Sequence, residues 1–379
     1  MRKRILTPHP APAAMDVREP QALRASASGT ARYAARESPR LEPSFYRSGP
    51  AGLMLSSIGI GTYLGECDDA EDARYTDAVA RAIGAGVNVI DTAINYRCQR
   101  SERAVGSAIE RVLSRGDAAR DELVVCTKGG YVPLEDAPPT DREHYRDYLK
   151  REFFDSGIMM PDDLAAGGHS LAPGFLRFCI ARSRRNLGVR TIDVYYLHNP
   201  EQQAAVLTPQ SLRERLRAAF MVLEDAVARG EIAVYGCATW NALRVPPDAK
   251  GHLSLEQLVG LARDVAGDAH HFRVVQLPIN LAMPEAVRVP TQALGATGRL
   301  VPLLDAASAL GISVVASASL MQAQLARGLP AGVRALAPNC RTDAQCALAF
   351  VRGLPGVTTA LVGMRDAAHL AENLESARG

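Results

Sequence analysis

Short apolar runs rich in Val, Ile and Leu alternate with helical patterns along the chain from about residue 55 onward. Runs of β-branched residues predict buried strands, whereas apolar positions spaced by three and four residues predict amphipathic helices. The predicted strands cover residues 57–61, 87–92, 123–127, 192–197, 232–237, 273–278, 312–317 and 358–363. The predicted helices cover residues 72–85, 99–115, 173–187, 210–229, 254–266, 301–310, 343–353 and 366–377.

The strict alternation of strands and helices indicates a parallel sheet, because a crossover between parallel strands usually runs through a helix. Eight such units favour a closed barrel over an open doubly wound sheet. The predicted fold class is therefore α/β, a (β/α)8 TIM barrel.

Three segments interrupt this alternation. Residues 129–172 and 280–300 form long polar stretches after the third and sixth predicted strands. Barrel enzymes carry their sites on that side, so both segments are predicted to be substrate walls or lids. Residues 41–56 predict an N-terminal hairpin with a Gly/Pro turn that covers the barrel floor.

The first 40 residues differ from the rest, with eight Lys or Arg residues against three acids. They are rich in Ala, Pro and Ser and lack the apolar core of a secretory signal. We expect a disordered basic N-terminal extension over residues 1–40 and one barrel domain over residues 41–379. An organelle transit peptide and a translation start at Met15 are the alternatives.

The bulk composition narrows the class of function. The net charge of +2 provides no basic field for nucleic acid, and no apolar run approaches a membrane span. The seven cysteines are scattered, without the spacing of a metal site, and indicate reduced thiols. We therefore expect a cytoplasmic protein that binds no nucleic acid, membrane or metal.

Polar side chains follow three consecutive predicted strands. Asp91 and Tyr96 come at and after the end of the second strand, Lys128 ends the third and His198 ends the fourth. Because parallel strands of a barrel end at one rim, these four side chains are expected to share a pocket. Asp91 would neutralise Lys128, and the ammonium would lower the pKa of the Tyr96 phenol.

This combination suits the polarisation of a carbonyl group. The Tyr96 phenol would donate a proton to a developing alkoxide, and His198 would orient the carbonyl oxygen. The set contains no nucleophile and no metal triad, so the component still required is a source of hydride.

The motifs at these strand ends resemble those of the aldo-keto reductases, and the resemblance covers about residues 45–379. It rests on DTAINY at 91–96, SERAVG at 101–106, CTKGG at 126–130 and YYLHNP at 195–200. It implies a (β/α)8 barrel that reduces an aldehyde or ketone with NADPH, or NADH, or oxidises the alcohol. By matched position it implies a catalytic tetrad of Asp91, Tyr96, Lys128 and His198, in which Tyr96 is the acid.

The resemblance also implies the cofactor residues. The matched positions are Gly61, Thr62, Thr239, Gln276, Ser317, Leu320, Gly363, Arg365, Glu372 and Asn373. Gln276 would support the nicotinamide amide, and Asn280 is the matched residue of the following loop. Arg365 would meet a phosphate at the start of the last helix, and this cation favours NADPH over NADH.

The chain departs from the family pattern at several of these positions. Ala238 and Thr239 stand where the family commonly has Ser-Asn, and Ser317 stands where a Tyr stacks on the nicotinamide. Arg97 and Cys98 follow the catalytic Tyr, where the family has Gly. Two interpretations of Arg97 and Arg100 stay open: contact with an anionic substrate or, preferred, capping of the second helix or pairing with Glu102.

Two alternative functions and one competing motif accompany the reductase hypothesis. The altered nicotinamide positions favour an NADPH-binding redox sensor or regulatory barrel with little turnover, and the intact tetrad argues against it. A lyase or epimerase that uses its cofactor internally is the second alternative. The GxGxxxG run at 59–65 looks like a dinucleotide loop, but it is interpreted as close packing of Gly59 and Gly61 in the first barrel strand.

Overall fold

The computed structural model describes residues 23–165, 168–335 and 339–378. Its strands are β1 Tyr46–Ser48, β2 Met54–Ser56, β3 Ile58–Gly61, β4 Val89–Asp91, β5 Val124–Gly129, β6 Ile192–His198, β7 Ile232–Ala238, β8 Phe272–Pro278, β9 Gln292–Leu294, β10 Arg299–Val301, β11 Ser313–Ser317 and β12 Val357–Gly363. Its helices are α1 Ala27–Glu37, α2 Asp69–Gly84, α3 Arg100–Arg115, α4 Arg142–Leu149, α5 Pro173–Leu187, α6 Pro209–Ala228, α7 Leu255–Ala266, α8 Glu285–Arg288, α9 Leu303–Leu310, α10 Ala331–Ala335, α11 Asp343–Gly353 and α12 Ala367–Glu375.

Eight parallel strands close a barrel in the order β3-β4-β5-β6-β7-β8-β11-β12, and β12 pairs again with β3. This arrangement confirms the (β/α)8 fold. Each strand of the barrel is followed by a helix with one apolar face, so that a ring of buried side chains separates helices from strands. Among the described residues, no helix is long and apolar enough to cross a membrane.

The floor of the barrel is covered by the predicted hairpin. Strands β1 and β2 pair antiparallel, and Leu53 and Leu55 pack in one cluster with Val89, Val124 and other residues of the barrel interior. The hairpin thus seals the end at which the strands begin, and it leaves the opposite rim open.

The expected disorder over residues 1–40 is wrong for the part that the structure describes, because residues 27–37 form helix α1 beneath the barrel. Tyr33 is fully buried and its hydroxyl donates a 2.5 Å hydrogen bond to the Ile83 carbonyl. The amide of Ala25 donates to Asp193 over 2.6 Å. Composition pointed to disorder, but the small residues on one face of α1 allow close packing. Residues 1–22 of the expected extension lie outside the described residues.

The two long insertions stand at the open rim, as expected, and they are more regular than their composition suggests. The insertion after β5 contains α4, and Phe153 packs against Phe175 of α5 with ring centroids 5.7 Å apart. The insertion after β8 contains α8 and the antiparallel pair β9 and β10. The insertion after β5 contributes Tyr131 to the wall of the cavity at this rim. The insertion after β8 packs against α7 and α9, and none of its residues lines that cavity, so the substrate wall expected there is not found.

The two glycines of the competing motif differ in their surroundings. A Cβ on Gly59 would lie 2.7 Å from a Leu361 methyl group, so this position needs glycine for close packing. A Cβ on Gly61 would find its nearest neighbour, the Val362 carbonyl oxygen, at 3.9 Å. Close packing therefore explains Gly59 only, and the expectation for Gly61 is corrected.

Candidate active site

The strand register brings the polar strand ends to one rim. Gly61 of β3 pairs with Asp91 of β4, and His198 of β6 pairs with Ala238 of β7. Ala238 in turn pairs with Gln276 of β8. Side chains that are far apart in the sequence therefore face one cavity.

A buried ion pair lies at the base of this cavity. Lys128 is 1% exposed, and its Nζ donates to Asp91 Oδ2 over 2.5 Å and to the Thr92 carbonyl over 2.8 Å. Gln276 Nε2 donates to the other carboxylate oxygen of Asp91 over 2.8 Å. Burying two charges is costly unless they are paired and hydrogen-bonded, and both conditions are met here.

Tyr96 lies half-buried in the cavity wall above this pair. The Lys128 ammonium is 4.9 Å from the Tyr96 ring centroid, and the His198 ring centroid is 5.8 Å from it. Burial raises the pKa of Tyr96 above its ordinary value, and the charge of Lys128 opposes this rise. The expected effect of Lys128 has the right sign, but burial prevails, so the phenol keeps its proton at neutral pH.

His198 is buried at the end of β6 as a neutral imidazole. Burial, and next the nearby charge of Lys128, hold the pKa of His198 well below its usual range. The His198 carbonyl is fixed by His169, whose Nε2 lies 2.7 Å away. The Nδ1 atom of His198 is buried and has no hydrogen-bond partner among the described residues.

A cavity of about 920 Å³ extends from these groups along the rim to helix α12. Most of the residues expected to bind the cofactor line it. Those residues are Gly61, Thr62, Thr239, Gln276, Ser317, Leu320, Gly363, Glu372 and Asn373. A cavity of this size is large enough for an extended ligand that reaches Tyr96 at one end and α12 at the other.

Arg365 is the exception among the expected cofactor residues. It is not part of the cavity wall, and its Nη1 donates to the buried carboxylate of Glu71 over 2.9 Å. Arg327 from the loop after β11 lines the cavity instead. Asn280 also stays out of the wall, since its amide donates to the Ala318 carbonyl over 3.0 Å.

The Thr239 hydroxyl is a polar group of the cavity wall that could bind a polar ligand. Thr239 is 3% exposed, and its Oγ1 is buried without a hydrogen-bond partner among the described residues. A buried hydroxyl without a partner is costly, and a ligand amide in the cavity would satisfy it. The position that departs from the family pattern thus still offers a polar contact, which fits a nicotinamide.

The cavity also contains residues that the sequence analysis missed. Asn95, Tyr131, Asn199 and Trp240 form its outer part, and Asn199 Nδ2 donates to the Tyr131 hydroxyl over 3.1 Å. Asn95 and Asn199 stand beside expected catalytic residues, which is the signal that would have found them. Tyr131 lies in the segment 129–172 that was predicted as a substrate wall, whereas Trp240 lies in a loop where no periodic pattern marks a wall position.

Arg97 and Arg100 have a structural role, which was the preferred interpretation, although Glu102 is not their partner. Arg97 donates to Asp72 over 2.6 Å, and Arg100 bonds the same carboxylate over 2.6 Å. Glu102 instead accepts hydrogen bonds from Thr127 and Asn186. Both arginines therefore fasten the start of α3 and the loop before it to α2.

The sequence of this chain is similar to one protein family and to several curated proteins. The model of the aldo/keto reductase family matches residues 57–249. D-threo-aldose 1-dehydrogenase of a Pseudomonas species is 29% identical over 193 residues, which is 49% of this chain and 50% of that enzyme. 6-Dehydroglucose reductase of Novosphingobium aromaticivorans is 23% identical over 347 residues, 89% of this chain and 91% of that enzyme. The chain thus spans about half of the first relative and most of the second.

Solved structures show the same architecture. An aldo/keto reductase from Klebsiella pneumoniae, crystallised with NADP and acetate, is 21% identical with a TM-score of 0.55. The match covers 88% of this chain and 89% of that one. At this level of identity the likeness supports the fold alone.

Proposed function

This chain belongs to the aldo/keto reductase family, and from that premise we propose that it reduces an aldehyde or ketone to an alcohol, with a hydride from NADPH and a proton from Tyr96. The observation that carries the proposal is the position of Tyr96 above the buried Asp91–Lys128 pair, with its ring centroid 4.9 Å from the Lys128 ammonium and 5.8 Å from the His198 ring centroid. This arrangement holds one proton donor and one orienting group at the same end of the cavity.

The residues around Tyr96 serve the transfer of its proton. When bound, NADPH supplies a hydride to the carbonyl carbon, and negative charge develops on the carbonyl oxygen. Tyr96 donates its proton to that oxygen, and the resulting phenolate is stabilised by the Lys128 ammonium. The neutral imidazole of His198 offers one N–H group to the same oxygen and orients it.

Different residues of the cavity are assigned to the two ends of the cofactor. Thr239 and Ser317 would hold the nicotinamide end near Tyr96, and Glu372 and Asn373 would meet the adenine at α12. We assign the phosphate contact to Arg327 in place of Arg365, because Arg365 is paired with Glu71. Arg327 forms no ion pair with any described residue, and a guanidinium is suited to bidentate contact with phosphate oxygens.

The outer part of the cavity favours a polyhydroxylated carbonyl substrate such as a sugar. Tyr63 and Trp240 flank this region and are 55% and 43% exposed, so their rings are free to cover the C–H faces of a sugar. Asn95 and Asn199 add amide groups for hydroxyls. The names of the two curated relatives refer to sugar substrates, which is consistent with this assignment.

The decisive test is the oxidation of NADPH by the full-length protein with a panel of aldoses, ketoses and 4-nitrobenzaldehyde. Turnover with at least one sugar is expected. The Tyr96→Phe variant should lose at least about a hundredfold in kcat, because a positioned acid contributes roughly that much, while cofactor binding followed by fluorescence is retained.

The regulatory barrel is the competing outcome, favoured by Ala238 and Ser317 at the nicotinamide positions. It would be supported by tight NADPH binding with no turnover on the whole panel. Identical behaviour of the wild type and Tyr96→Phe would overturn the reductase proposal.

A further inference from the structure

Two cysteines face each other at the edge of the candidate active site. The Sγ atoms of Cys67 and Cys98 are 3.6 Å apart, although 31 positions separate them in the sequence. Cys67 lies in the loop between β3 and α2, and Cys98 follows Tyr96 by two residues. Both connect directly to segments that line the cavity.

The two thiols differ in accessibility. Cys98 is 5% exposed, whereas Cys67 is partly exposed and follows a stretch of exposed residues. Burial and next the Cys67 thiol raise the pKa of Cys98 to about 12. Cys67 is therefore the group that a solution oxidant reaches first, and Cys98 is the resolving thiol.

Arg97 connects the loop that contains Cys67 with the segment that contains Cys98. Its side chain is 1% exposed, and its Nε donates to the Glu66 carbonyl over 2.7 Å. It also bonds Asp72 at the start of α2 over 2.6 Å. Because Glu66 precedes Cys67 and Arg97 precedes Cys98, this contact fixes the backbone on both sides of the thiol pair.

The backbone next to Cys98 is strained. Arg97, Cys98 and Gln99 have φ angles of +48°, +54° and +70°, three successive residues in the left-handed region without a glycine. Such conformations persist only where the surroundings impose them, and they are concentrated at functional sites. The strained residues are those whose backbone would have to move if the two Sγ atoms came closer together.

We propose that Cys67 and Cys98 form a reversible disulfide that lowers the turnover of this enzyme under oxidising conditions. A disulfide needs an S–S distance of about 2.05 Å, so the Sγ atoms must approach by roughly 1.5 Å. This displacement acts on the segment that begins at Tyr96, and Tyr63 on the other segment lies 5.0 Å from Tyr96 between ring centroids. Oxidation thus shifts the proton donor relative to His198.

The chemistry requires a low-molecular-weight disulfide such as oxidised glutathione. The Cys67 thiolate attacks one of its sulfur atoms and releases one glutathione thiolate. The Cys98 thiol then loses its proton to the solvent and attacks Cys67 in the mixed disulfide, which forms the Cys67–Cys98 bond and releases the second glutathione thiolate. The two protein thiols lose two electrons and two protons, and one oxidised glutathione becomes two reduced molecules.

The pair is tested by incubating the full chain in buffers of graded glutathione ratio. Peptide mapping without reduction should show a Cys67–Cys98 cross-link, and dithiothreitol should remove it. In the oxidised form kcat should fall at least about tenfold, because displacing a reacting group by about 1 Å can cost up to roughly a hundredfold in rate.

Cys67→Ser and Cys98→Ser should each abolish the cross-link and the loss of activity. Cys340→Ser is the matched control, because Cys340 and Cys346 form a second pair of adjacent thiols away from Tyr96. It should respond to oxidation like the wild type. No cross-link at any ratio, or a cross-link that leaves kcat unchanged, would overturn the proposal.

The effect on turnover rests on the proposed function, whereas formation of the cross-link does not. If the reductase proposal fails, no turnover can be measured, but mass spectrometry still detects the Cys67–Cys98 cross-link. Failure of the thiol proposal would leave turnover insensitive to glutathione.

Discussion

Gln276 on β8 donates its amide hydrogen to Asp91 on β4 across the barrel, with Nε2 2.8 Å from Oδ1. The two strands are not neighbours in the barrel, so this bond crosses the interior just below the cavity. It occupies the carboxylate oxygen that Lys128 leaves free. Gln276 therefore holds the Asp91 carboxylate in place and also lines the candidate cofactor cavity.

The Gln276→Leu variant should consequently lower kcat and not only weaken cofactor binding. Loss of a hydrogen bond to a buried carboxylate costs about 1.5–3 kcal/mol. We therefore expect kcat to fall by roughly tenfold or more. Steady-state kinetics and an NADPH titration check this. A higher Kd for NADPH with unchanged kcat would mean that Gln276 acts through the cofactor alone.

Lys128→Met should damage both stability and activity. It leaves Asp91 buried without its cation, and removing one partner of a buried pair costs about 3–5 kcal/mol in the free energy of unfolding. Adding Asp91→Asn to Lys128→Met should recover part of that loss, because the uncompensated charge disappears. Urea unfolding of the two single variants and the double variant measures this coupling, and additive losses would contradict it.

The pH profile of carbonyl reduction should lack a step near the ordinary histidine pKa of about 6.5. The pKa of His198 is held well below its usual range, so His198 stays neutral from mildly acidic pH upward. The pKa of Tyr96 is raised, so the proton donor is lost only at alkaline pH. A plot of kcat/KM against pH tests both expectations. A decline below about pH 6.5 that disappears in His198→Asn would show that His198 is protonated there and would refute the expectation for His198.

Part of the candidate site could be predicted from the sequence because three consecutive apolar runs end at or next to a residue of recognisable chemistry. Asp91, Lys128 and His198 were found in this way, and the barrel register then brings them together. The ion pair of Arg365 could not be predicted, because its partner Glu71 is 294 positions away and nothing in the local pattern indicates the pair. The position of Arg327 in the cavity wall could not be predicted either, because Arg327 lies in an irregular loop.

His169 should make stability depend on pH. Burial lowers the pKa of His169 to about 4, and Gln203 Nε2 lies 2.8 Å from its Nδ1, which suits a neutral ring. The unfolded chain binds this proton near pH 6.5, so unfolding takes up a proton between about pH 6.5 and 4 and stability falls as the pH falls. The loss should approach about 3 kcal/mol at the lower limit.

Chemical unfolding at several pH values measures that loss. The His169→Asn variant is expected to be less stable at pH 7, because the bond to the His198 carbonyl is disturbed, and to show a smaller decline towards pH 4. An equal decline in both proteins would assign the acid sensitivity to other groups.

Helix α1 should contribute to the stability of the barrel without affecting its chemistry. Tyr33 is fully buried against the barrel, so Tyr33→Ala should lower the free energy of unfolding by about 3–5 kcal/mol, as aromatic truncations in cores do. Tyr33→Phe removes only the hydrogen bond to the Ile83 carbonyl and should cost about 1 kcal/mol. Ser28→Ala on the exposed face of α1 is the control, expected within about 0.5 kcal/mol of the wild type.

The same three variants show whether α1 only stabilises the barrel or also affects the residues of the cavity. Tyr33 lies beneath the barrel floor, whereas Tyr96 and His198 stand at the opposite rim, so KM and kcat of the folded Tyr33→Ala protein should equal those of the wild type. Denaturant midpoints and steady-state kinetics at a temperature where each variant is folded provide both quantities. A Tyr33→Ala protein as stable as Ser28→Ala would show that α1 is not part of the folded core.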